Sequence, residues 1–223
     1  MTLFPSFSAA APDSRKNMIG LYSRSIKILL VLIGPLVAIL ILFAKDILHL
    51  WLGAEFAKQS SIVLQIISAG MLINSLAQMP FALIQGFGRP DLTAKFHVFE
   101  LLLYIPLMWL LVKHIGIIGG AIAWFIRVTI DAILLFTASM KFLNSSTIFD
   151  SGLKRTTIMV SSMICILFGL SLVNGTILIK LIISGIILTM FTIISWRNVL
   201  DAAERELICS AVRRAVGIIE VTN

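Results

Sequence analysis

The chain has 223 residues, of which 59% are hydrophobic and 13% charged, with a formal net charge of +7. A soluble domain is nearer ~45–50% apolar and ~25% charged, so this composition excludes a water-soluble globule and indicates a membrane protein. The positive charges sit between apolar runs, where insertion sidedness and anionic lipid account for them before nucleic acid does.

Residues 1–24 read as the cytoplasmic end of a preceding helix, LFPSFS, followed by a linker. MTLFPSFSAAAPDSRKN lacks the apolar core of a signal peptide. Pro12-Asp13 marks a turn, and Ser14 is placed to cap the helix that follows. A first span is expected at 25–44, bent at Gly34-Pro35 because proline removes one backbone donor and crowds the preceding turn. The segment KDILHLWLGAEFAKQS, 45–60, reads as a short interfacial helix that Gly53 ends, with His49 and Trp51 at headgroup level.

A second span covers 62–85. Gly70, Asn74, Gln78 and Gln85 fall on one helical face. Amides in hydrocarbon need partners, so this stripe is either helix–helix glue or the lining of a hydrated cavity. GFGRPDLTAK, 86–95, is a tight basic loop. Its glycines imitate a nucleotide fingerprint only superficially, because no strand precedes them.

The third span, 96–112, carries Glu100 and Pro106, with His97 at its boundary. Gly116 turns the chain into the fourth span, 117–139, and Gly116 with Gly120 has the GxxxG spacing of closely packed helices. Arg127 lies near the middle of that span and Asp131 one turn later. A cation at that depth costs roughly 2.5–3.5 kcal/mol on insertion scales, so something must offset it. Counted from the ends of their spans at about 1.5 Å per residue, Glu100 lies about 7 Å in, Asp131 about 12 Å and Arg127 about 18 Å. Three readings stay open: an Arg127–Asp131 pair within the helix, a network that adds Glu100, or an Arg127 turned toward a cavity to meet an anion.

Residues 140–155 form a polar basic loop. The fifth and sixth spans, 156–173 and 176–196, join at Asn174-Gly175 and are apolar nearly all round, as expected of helices at the lipid-facing periphery. From 197 to 223 apolar and charged residues alternate as in a cytoplasmic amphipathic surface helix. Cys165, in an apolar run, and Cys209, in this tail, supply neither a disulfide framework nor a metal-ligand spacing.

Six spans divide the basic residues unevenly. Thirteen of the 18 Lys and Arg fall on one side, four (Lys45, Lys58, Lys113 and Lys180) on the other, and Arg127 within the membrane. The excess puts both termini in the cytoplasm. The expected fold is therefore all-α, a polytopic six-helix membrane bundle with an amphipathic tail.

Four stretches, taken in order, carry a family resemblance: LFPSFS, LYSRSIKILLVLIGPLVAILILFAKDILHLWLGAEF, ALIQGFGRPDLTAKFH and WLLVKHIGIIGGAIAWFI. They resemble the C-terminal half of polysaccharide flippases, the O-antigen and capsule repeat-unit transporters of the multidrug/oligosaccharidyl-lipid/polysaccharide exporter superfamily. The likeness covers about residues 1–140; residues 141–223 match in layout only. It implies one of two bundles that enclose a central cavity, with the first bundle and the helix ending at LFPSFS missing. It also implies translocation of undecaprenyl-diphosphate-linked oligosaccharide across the bacterial cytoplasmic membrane by alternating access. The implied partners are the lipid-linked oligosaccharide, membrane lipids, the N-terminal bundle or a second copy, and polysaccharide polymerase and chain-length machinery. No cofactor, metal, catalysis or nucleic acid is implied.

The positions suited to binding substrate or lining the cavity are Arg127, Asp131, Glu100, Asn74, Gln78 and Gln85, with Lys27 as a further cation. Asp131 and Glu100 depart from a strongly cationic cavity because they stand where they can neutralise Arg127. Two alternatives are a cation-coupled multidrug antiporter of the same superfamily and an inactive fragment. A membrane enzyme would need clustered His, Asp or Glu at a membrane face, and the three histidines are scattered in sequence.

Overall fold

The computed structural model describes residues 15–143, 151–172, 177–200, 205 and 209–210. It is all-α, and six helices are long and apolar enough to cross a membrane. They are α1 (Arg15–Leu52), α2 (Ala54–Gly86), α3 (Pro90–Ile115), α4 (Ile117–Leu143), α5 (Ser151–Leu172) and α6 (Ile177–Ile194), followed by a π-helical turn at Ser195–Val199. The expected cap at Ser14, the turn at Asn174-Gly175, residues 144–150 of the basic loop and most of the 197–223 tail lie outside the described residues.

One expectation at the start of the bundle needs correction. The first span and the interfacial segment are not separate elements: α1 is one helix of 38 residues that contains Pro35 and stops only at Leu52. Lys45 and Asp46 read as the polar end of a span, yet Asp46 is neutralised laterally by Lys180 of α6, Oδ2 to Nζ 3.3 Å, so its charge does not end the helix. Gly53 does end it. Its φ of 89° and ψ of 172° lie in a region that essentially only glycine occupies, so α2 begins one residue later. Helix α6, expected at the periphery, turns one stripe inward, where Lys180, Ser184 and Phe191 are buried.

The core forms where α1 meets α2 on one side and α5 on the other. Tyr22, Ile26, Leu30, Val37, Ile41 and Leu42 project into it from α1 and meet Leu83 of α2 and Val160, Met163 and Leu167 of α5. Gly34 permits the α1–α5 approach, since a Cβ there would stand 2.8 Å from Val160 Cγ1. On the far side of α2, Ala77 and Ile84 pack against Ala132, Leu135 and Ala138 of α4. Small residues let these backbones come close, which is how helices associate where lipid is as apolar as the side chains. Tyr22 Oη lies 3.2 Å from Ser139 Oγ, a buried hydrogen bond that ties α1 to α4. Helix α3 packs on the outer side of α4 and touches α2 less extensively.

Candidate functional site

The α3–α4 hairpin brings His97, Glu100, Arg127 and Asp131 together within the apolar length of its two helices. Its turn is a single residue, Gly116, with φ 65° and ψ −140°. Gly119 sits just beyond, where an added Cβ would collide with the Leu111 carbonyl, so the arms meet almost backbone to backbone. The packing glycine is thus Gly119. Gly116 makes the turn, and a Cβ on Gly120 would stand 3.4 Å from Met108 Cε, so the Gly116–Gly120 spacing is not itself the close contact.

That turn fixes the register. In an antiparallel hairpin, residues equally far from the turn face each other. Glu100 lies 16 residues before Gly116 and Asp131 15 after it; Tyr104 lies 12 before and Arg127 11 after. The structure follows this count. Arg127 Nε is 3.7 Å from Glu100 Oε2, and its guanidinium carbon stands 5.6 Å from the centre of the Tyr104 ring. His97, one turn before Glu100, completes the cluster: its Nδ1 is 3.7 Å from Glu100 Oε2 and 4.0 Å from Asp131 Oδ1. Ligand-type atoms of His97, Glu100 and Asp131 all lie within 4.8 Å of one another. Glu100 is the tenth residue after Pro90, about 15 Å along a helix about 39 Å long.

Of the pairs open to Arg127, the structure forms the one with Glu100 of the facing helix and not the one with Asp131 of its own. The guanidinium pairs across the hairpin with Glu100, while Asp131 of its own helix is approached by His97. His97 was missed as a site residue because a histidine at a span boundary reads as interfacial. Its three-residue spacing from Glu100, combined with the hairpin register, was the signal that would have found it.

Exposure grades sharply through the cluster. The Glu100 side chain is 1% exposed, Asp131 13%, Arg127 37% and His97 45%. Both oxygens of Glu100 and Oδ1 of Asp131 are buried without a hydrogen-bond partner. Glu100 lies beside the guanidinium and the imidazole, Asp131 beside the imidazole, none of these pairs has hydrogen-bond geometry, and a buried polar group left this way is costly.

The α2 amides stand apart from this cluster. Gly70 faces α4 so closely that a Cβ on it would run into the Trp124 ring. Measured at about 100° per residue from that direction, Asn74, Gln78 and Gln85 lie about 40°, 80° and 60° round the helix. Asn74 and Gln85 are half-buried and Gln78 exposed. None of the three lines the crevice of about 10 Å³ that borders Glu100, Tyr104, Arg127 and Ile130. A larger groove of about 550 Å³ between α1, α2, α4 and α5 is almost wholly apolar and contains neither the cluster nor the three amides. Its Gln65 is occupied, with Nε2 donating to the Ile41 carbonyl at 2.9 Å and lying 3.2 Å from Ser171 Oγ. Lys27 is buried on α1. Of the six residues expected to line a cavity, the structure thus gathers Arg127, Asp131 and Glu100 and leaves Asn74, Gln78 and Gln85 on a flank of α2.

Over 113 residues, 51% of this chain and 27% of the relative, the sequence is 34% identical to a protein of Shigella flexneri named as an O-antigen transporter. Over 134 residues, 60% of this chain and 28% of the relative, it is 25% identical to a protein of Haloferax volcanii named as a low-salt glycan biosynthesis flippase. The matched stretch is little more than a quarter of either relative. No family model and no solved structure matches. The two names support the polysaccharide flippase family for the matched part of this chain.

Proposed function

We propose that this chain forms the C-terminal part of a transporter that moves undecaprenyl-diphosphate-linked oligosaccharide repeat units across the bacterial cytoplasmic membrane by alternating access. The observation that carries the reading is Arg127, a guanidinium more than a third exposed, more than a turn inside an apolar helix and held by a carboxylate that does not hydrogen-bond it. A guanidinium recognises phosphate oxygens through its fork of N–H donors, and an ionisable side chain at such depth generally serves a pathway. The relatives named for O-antigen and glycan translocation support the substrate class. The uneven split of Lys and Arg supports cytoplasmic termini. Asn74, Gln78 and Gln85 are suited to sugar hydroxyls once a partner bundle, or a second copy, faces the flank of α2.

One observation favours a second reading. A cation-coupled multidrug antiporter calls for an unpaired membrane carboxylate, and Glu100, buried with no hydrogen bond though 3.7 Å from Arg127 Nε, is the nearest to one. One experiment separates the two. In cells whose surface polysaccharide depends on this protein, Arg127→Ala is expected to abolish the polysaccharide while the protein stays at its normal level. Unchanged polysaccharide together with Glu100-dependent efflux of cationic dyes would favour the antiporter.

A further inference from the structure

The geometry points to a proton-binding site at Glu100, Asp131 and His97 whose occupancy releases Arg127 to an anionic ligand. This rests on the proposed role of Arg127 toward a diphosphate and adds what controls it.

The argument is a charge count. With His97 neutral, Glu100, Asp131 and Arg127 together carry one negative charge. If Arg127 turned away to a phosphate, two carboxylates within 4.8 Å of each other would remain, one of them 1% exposed. Like charges that close, out of water, cannot both stay ionised without a cation. A proton taken up by the three residues replaces the guanidinium one for one and leaves the local charge unchanged.

Among the described residues the surroundings supply no other candidate. Helix α3 presents His97 and Tyr104 to Glu100, and α4 presents Arg127 and Asp131. Helix α2, which reaches the site through Phe81 beside the His97 ring at 6.1 Å, has no charged residue or histidine between Lys58 and Arg89. Arg127 already stands as the cation beside Glu100, and the crevice there holds about 10 Å³, room for a single water rather than for an ion with the several waters a hard metal keeps. Across the cluster exposure falls from His97 at 45% to Glu100 at 1%.

Proton and anion then promote each other's binding, because only the protonated cluster frees the guanidinium. A ligand that selects one form loses apparent affinity in proportion to the fraction of that form. On the alkaline limb, diphosphate affinity should therefore fall by up to about tenfold per pH unit.

The test uses the protein purified together with whatever chain completes it, in lipid nanodiscs, with farnesyl diphosphate as probe, between about pH 6 and pH 8. Affinities are taken relative to Glu100→Gln, so that ionisation of the probe cancels. Wild-type protein should bind progressively more weakly than Glu100→Gln as pH rises. Arg127→Gln should bind weakly throughout, and infrared difference spectra should show a carboxylic acid band that titrates in the wild type and is lost in Glu100→Gln. A constant ratio between wild type and Glu100→Gln overturns the proton site but leaves Arg127 as an anion contact. Tight binding that follows sodium or zinc rather than acid also overturns it. A band that titrates without diphosphate binding in any variant overturns the role of Arg127 itself.

Discussion

At the scale of single residues, the balance of the fold is set by which polar groups find partners. Tyr22 and Ser139 do, 3.2 Å apart in a buried contact between α1 and α4. Hydrogen bonds between membrane helices average about 0.6 kcal/mol, so Tyr22→Phe should lower unfolding free energy by about that amount in a detergent titration. Asp46 and Lys180 do as well, at 3.3 Å. Lys180→Ala should therefore loosen α6, read as faster proteolysis of the C-terminal segment, without touching the charged cluster. Glu100 has ion-pair neighbours but no hydrogen bond for either buried oxygen, and that cost supports its proposed place in the binding cluster. The sequence made Arg127, Asp131 and Glu100 visible as costly residues in apolar runs. It did not reveal which would pair. Spacing along one helix suggested Asp131, but Tyr104 and Glu100 of the facing helix hold the guanidinium, and His97 takes the side of Asp131. Such side-chain directions depend on a neighbour that a one-helix reading leaves out.

At the scale of elements, glycine controls the hairpins. Gly53 and Gly116 adopt a backbone shape that costs another residue about 1–3 kcal/mol. Gly116→Ala should destabilise the chain by that amount although nothing lies within 4 Å of its Cβ position. Gly70→Ala acts differently, by pushing Trp124 out of the α2–α4 seam. Overpacking of this kind costs about 1–3 kcal/mol and should appear as altered Trp fluorescence with lower stability. Both glycines were legible in the sequence, Gly116 as a turn and Gly70 as part of a stripe, but not their separate jobs. The long α1 was harder to read. Lys45, Asp46 and His49 resemble a span end, and only the distant Lys180 explains why the helix continues through them.

At the scale of the whole molecule, apolar runs were enough to identify six membrane-crossing helices, because length and hydropathy decide what a bilayer accepts. The layout of the bundle was not legible. That α1 and α2 would be central and α3 outer follows from Gly34, Ala77 and Ala132 admitting close neighbours, which periodicity cannot rank. Sidedness can be checked directly. Cysteines placed at Lys58 and Lys113 should react with an impermeant maleimide added outside intact cells, while one at Lys95 should react only after lysis; the reverse pattern would invert the topology. The outer face of α3, with Val98, Leu102, Ile105 and Trp109 exposed, suits lipid or a second bundle, and the relatives extend well beyond the matched stretch.

The most direct measurement of the central claim is inversion of a fluorescent undecaprenyl-diphosphate saccharide in membrane vesicles that contain the protein with whatever chain completes it. Arg127→Ala should stop inversion, and Lys180→Ala, which breaks an ion pair outside the cluster, should leave it near the wild-type rate. Inversion at the wild-type rate in Arg127→Ala would contradict the account.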